Sequence, residues 1–166
     1  MYGKQMKKWT VNFLLNKVLL WAGLLAPWLT LFFMKAESIK RYMPVAIFVS
    51  LLLTIIYEIA YTYKWWVLKV FIVPWGYITN VSFVYGIFLV GTIWIFHFTY
   101  KSFKVYLVTN MIVDAVFAFG LLPLISRLGI DKFVNLPKWG AYLIMLSLAL
   151  IIFLYQRWQE GIFKEN

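Results

Sequence analysis

Three side chains that can carry charge fall inside apolar stretches of this chain: Glu58, His97 and Asp114. A charge at the bilayer centre costs about 2.5–3.5 kcal/mol on insertion scales, so such groups turn inward, pair or become neutral. Around Glu58, steps of about 100° per residue gather Ser50, Thr54, Tyr57, Glu58 and Tyr61 onto one arc of a helix. Tyr106, Asn110 and Asp114 recur every fourth residue and so share a face of another helix. Carboxyl groups flanked by phenols and an amide suit two tasks: hydrogen-bonding a ligand between helices, or accepting and releasing a proton. The depths of Glu58 and Asp114 differ by only about 5–8 Å at the helical rise. They are therefore expected to meet through a tyrosine, Asn110 or a water. His97 lies one turn from Lys101, near a helix end, where its ring reaches water. A structural role accounts for the same residues, because polar side chains between membrane helices also act as packing glue worth about 0.6 kcal/mol each.

These groups need helices to hold them, and the composition supplies helices of one kind. Of 166 residues, 64% are hydrophobic and only 13% are charged. A soluble domain runs at about 45–50% apolar and about 25% charged, so a water-soluble fold is excluded. Disorder is excluded by the same apolar surface, which has to find cover. The expected fold is all-α: one polytopic transmembrane bundle over residues 1–166, with spans near 18–34, 44–63, 81–100, 105–126 and 139–155. Each is close to the run of about 20 apolar residues that crosses a bilayer. Residues 5–17 read as an interfacial helix leading into the first span, since no small-residue cleavage pattern marks a signal peptide. Residues 64–80 tempt a sixth span. Lys69 and Pro74 interrupt them, however, and Trp65, Trp66, Trp75 and Tyr77 are headgroup-level residues, so an interfacial segment is expected. Pro27 and Pro123 should kink the first and fourth spans. Ser82 and Gly86, four apart, should let a neighbouring helix approach closely.

The formal net charge is +10, but the lysines and arginines are spread over every loop rather than gathered into a patch with aromatic platforms. That distribution points to lipid headgroups as partners and away from nucleic acid. The loop count is nine basic residues on the side of the N-terminus against seven on the other. Together with Lys4, Lys7 and Lys8, it puts the N-terminus in the cytoplasm. With no cysteine and one histidine, no metal or cofactor is expected. No nucleophile elbow, metalloprotease, phosphate-loop or dinucleotide signature occurs, so the chain does not read as an enzyme. A homo-oligomer or another membrane protein is a further expected partner.

Size, span number and the nine tryptophans are similar in composition to the translocator family of five-helix tetrapyrrole- and sterol-binding proteins. That family's proline-rich tryptophan loop and Trp-Asn-rich signature are not present. Arg41-Tyr-Met-Pro44 opening a span, Tyr57-Glu58 late in it and Trp65-Trp66 just after it form a second pattern. It resembles uncharacterised small membrane proteins of spore-forming Gram-positive bacteria, across about residues 40–160. The resemblance implies a bacterial plasma-membrane protein and assigns no activity. Two functional expectations stand side by side. One is a non-enzymatic membrane protein binding a partner or a small apolar ligand between its helices. The other is a transport or proton-handling subunit using Glu58 and Asp114.

Overall fold

The computed structural model describes the backbone of residues 2–162 and the side chains of residues 13–162. The basic cluster Lys4, Lys7 and Lys8, and Lys164 near the C-terminus, have side chains outside the described residues. The chain is an all-α bundle. Helix α1 (Tyr2–Thr30) tightens into a 3-10 turn at Leu31–Phe33, and α2 covers Ala36–Thr62. Helices α3 (Phe83–Thr99), α4 (Phe103–Arg127) and α5 (Lys138–Ile162) follow. Four of the five are long and apolar enough to cross a membrane, and α3 is a shorter apolar helix. Phe32, Phe33 and Leu154 are 85%, 88% and 67% exposed, surface that requires lipid rather than water around it.

Helix α2 shows why the bundle closes as it does. Its buried residues include Tyr42, Val45, Val49, Leu53, Tyr57 and Ala60, a seam with helical spacing, while Ile47, Leu51, Ile55 and Ile59 face outward. Helix α1 docks by close backbone approach. A Cβ added at Gly86 would lie 2.8 Å from the Cα of Leu24, so only glycine permits α3 to sit there.

The segment after α2 forms no helix. Trp66–Leu68 (β1) pairs antiparallel with Asp131–Phe133 (β2), joining the α2–α3 and α4–α5 connections at one end of the bundle. The Asn16 amide donates to the Leu128 carbonyl at 2.8 Å and ties α1 to the same end. At the opposite end, Arg41 near the start of α2 meets Glu160 near the end of α5. The bundle thus has a sheet end and an ion-pair end.

Two features go beyond the sequence reading. Residues 5–17 run without a break into the first span, because no proline or glycine interrupts the chain between Lys4 and Gly23. Helices α2 and α5 also extend beyond the apolar cores read from the sequence, carrying Lys40, Arg41, Gln156, Arg157 and Glu160 as helical residues. A further feature has no apolar-pattern signal. Phe83–Phe88 in α3 and Val116–Leu121 in α4 are π-helical turns, each with two phenylalanines and one glycine. Their rings interlock, Phe117 lying 4.9 Å from Phe88 and 5.9 Å from Phe83 between centroids.

Candidate functional site: an acid in a cavity between the helices

Asp114 lies near the middle of α4, about 16 Å along the helix from Phe103 at the helical rise. Its side chain is 7% exposed, and its Oδ2 is buried with no hydrogen-bond partner. An unpartnered buried polar group costs about 1–3 kcal/mol, more when charged. Asp114 lines a cavity of about 140 Å³ between α2, α3, α4 and α5, together with Asn110, Thr92, Phe88, Phe117 and Met145. The remaining walls are aliphatic. Asn110 spends its amide on the Tyr106 carbonyl one turn back, at 2.9 Å. The cavity therefore presents an orphan acid against an apolar wall.

Toward the sheet end lies a second, smaller cavity of about 60 Å³, lined by Tyr57, Trp66, Asp131 and Phe133. Leu53, Phe88, Phe117 and Met145 line both cavities, so these four side chains are the partition between them. Both phenylalanines belong to the π-helical turns, and such turns are frequent at functional sites. Tyr57 is buried edge-on against Trp66, with ring centroids 5.3 Å apart. Asp131 is 5% exposed and accepts a hydrogen bond from the Ser126 hydroxyl at 2.6 Å. Burial pushes the Asp131 carboxyl above the usual carboxylate range, an effect reduced by the Ser126 hydrogen bond and the Lys69 charge.

Toward the ion-pair end the interior is closed. Tyr106 and Phe96 are fully buried, and Phe153 packs 4.8 Å from Tyr106. The Tyr106 hydroxyl donates to the Ala149 carbonyl at 2.8 Å, so even the polar atom of this plug is matched.

Asp114, Asn110 and Tyr57 thus lie inside, on two adjoining cavities. Glu58 does not join them. It is exposed on α2 between Ile55 and Ile59, one turn from the helix end, and it lines neither cavity. The expected Glu58–Asp114 site is therefore corrected to a site with Asp114 alone. The polar arc on α2 runs along the margin of the buried seam: Ser50 and Tyr57 fall inside it, Glu58 and Tyr61 outside. Tyr61 is 51% exposed and packs edge-on against Tyr77. His97 is exposed, with Nδ1 3.1 Å from the Ser38 hydroxyl at the ion-pair end. Asp131 and Thr92 were not among the sequence candidates. Asp131 sits in a loop by charge pattern, and its pairing opposite Leu68 on β1 places it on the second cavity.

Fold and cavity define a membrane-embedded helical bundle with one unpartnered acid at its centre. No protein-family model, curated protein or solved structure matches the chain.

Proposed function

We propose that this protein is a non-enzymatic integral membrane protein that holds a small, largely apolar molecule between its helices, with Asp114 as the polar anchor. The observation that carries this is the buried Asp114 oxygen without a partner, on a cavity of about 140 Å³. A cavity of about 150 Å³ is sufficient for benzene, which sets the ligand size. The carboxyl adds a requirement for one hydrogen-bond donor or cationic group. The ligand class is thus a compact aryl or branched alkyl group bearing an amine or hydroxyl.

A bacterial plasma-membrane location with the N-terminus in the cytoplasm fits this reading. The support is the basic N-terminal cluster and the excess of loop lysines and arginines on the same side. A second reading is proton handling by Asp114, with Glu58 no longer part of it. The adjoining cavity with Asp131 favours that reading, because two acids then follow one another from the sheet end inward.

Thermal unfolding in lipid nanodiscs with benzylamine or toluene added separates these readings. Benzylamine should stabilise the wild type more than toluene does, and Asp114→Asn should erase that difference while keeping the toluene effect. No stabilisation by either compound, or an unchanged benzylamine advantage in Asp114→Asn, would contradict ligand binding at this site.

A further inference from the structure

At the ion-pair end, a cleft of about 460 Å³ opens among Arg41, Tyr100, Lys101, Phe103, Arg157 and Glu160. Its charges are unequally used. Arg41 binds Glu160 through two parallel hydrogen bonds, Nε to Oε1 at 2.6 Å and Nη2 to Oε2 at 2.8 Å. The Gln156 amide also donates to Oε1 of Glu160 at 2.9 Å, so three hydrogen bonds hold the carboxylate. The Arg41 guanidinium also lies over the rings of Tyr42 and Tyr100, at 5.4 and 5.3 Å, which fixes its plane. Lys101 and Arg157 form no ion pair among the described residues. Three cations and one acid leave the cleft with two positive charges in excess.

The surroundings narrow what those charges face. The cleft sits where the α3–α4 turn meets the last turns of α5, at the edge of the apolar band. Helix α4 begins at its lip with Phe103, so the positive end of a long helix dipole points there. Tyr100 adds a phenol hydroxyl to the lining of the cleft. Below the cations the wall is Phe103 and Phe153, and Trp158, 63% exposed, lies one residue beyond Arg157. A cationic cleft much larger than a phosphate, set above an aromatic wall, matches a headgroup joined to acyl chains better than it matches a free ion.

We propose that this cleft binds the phosphate of an anionic phospholipid, with Lys101 and Arg157 as its ligands and Phe103 and Phe153 against its glycerol and upper acyl carbons. Arg41 is a positioning residue, held by Glu160. Native mass spectrometry of the detergent-solubilised protein, titrated with dioleoyl phosphatidylglycerol or dioleoyl phosphatidylcholine, reads the preference directly. The wild type should retain phosphatidylglycerol over phosphatidylcholine, and Lys101→Gln/Arg157→Gln should weaken that retention by on the order of tenfold. Lys101→Arg/Arg157→Lys should keep the preference, and thermal unfolding in neutral detergent should show both double variants folded. Equal retention of the two lipids, or an unchanged preference in Lys101→Gln/Arg157→Gln, would overturn the proposal. Displacement of phosphatidylglycerol by millimolar inorganic phosphate would also overturn it, since the site would then recognise the free anion.

Discussion

At the ion-pair end of the bundle, the Tyr106 phenol meets a carbonyl and the Glu160 carboxylate meets a guanidinium and an amide, while the neutral side-chain oxygens of Gln156 and Gln159 are buried there without partners. Phe96 and Tyr106 fill the interior there without exposure. Halfway toward the sheet end the unmatched group is an acid. Asp114 has an oxygen with no partner, cavities replace packed rings, and two helices loosen into π-helical turns around them. Both regions are built from the same residue types on the same helices. Matched polar atoms in a dense core serve stability, whereas an unmatched acid on a cavity costs stability and needs another reason to be kept.

The largest effect should come from breaking the dense half. Tyr106→Ala removes a fully buried aromatic ring and should cost about 3–5 kcal/mol of stability. Tyr106→Phe, losing only the hydroxyl bond to Ala149, should cost about 1 kcal/mol. Thermal unfolding of both in nanodiscs measures the difference, and equal losses would mean the hydrogen bond, not the ring, holds that end.

A smaller effect, with a sign set by pH, is expected at the sheet end. The folded chain holds the Asp131 proton more tightly than the unfolded chain does, because burial raises the carboxyl above its usual range. Its relative contribution to stability is therefore full below the ordinary aspartate value of about 4 and is lost as pH rises through the raised value. Asp131→Asn should be more stable than the wild type at neutral pH, and the gap should close toward pH of about 4. A gap that widens on acidification would contradict the burial of Asp131 beneath the small sheet.

The smallest effect should fall on Glu58. Exposed near the end of α2, it belongs to neither region, and Glu58→Gln should change stability by less than about 0.5 kcal/mol. Combined with Asp114→Asn, its effect should simply add. A double-mutant cycle with clear coupling would bring Glu58 back to the interior.

The helices were legible because apolar runs bounded by lysines leave few alternatives, and the Ser82–Gly86 pair announced the close approach of α1. Asp114 and Asn110 were legible as well, since three residues four apart on one helix must share a face. Glu58 was misplaced for a physical reason. A polar arc on a helical wheel has no absolute direction until the buried seam is known, and on α2 that seam runs through Tyr57 and Leu53. The π-helical turns and the β1–β2 pairing were not legible, because each depends on tertiary contacts between segments far apart in sequence. The Gln156–Glu160 pair carried a usable signal, an amide and an acid four apart, but it lies beyond the apolar core that marks the last span.

One substitution tests most directly whether Asp114 is kept at the expense of stability. Leucine has the shape of aspartate with two methyl groups in place of the carboxyl oxygens, so Asp114→Leu removes the orphan acid without opening space. Its thermal unfolding should be compared with that of the wild type in lipid nanodiscs at neutral pH, with and without benzylamine. The expected result is a gain of about 1–3 kcal/mol, the cost of the unpaired polar group, together with loss of the benzylamine response. A fall in unfolding temperature, comparable to that of Tyr106→Phe, would show that Asp114 has a structural partner and would contradict the reading of its cavity as a binding site.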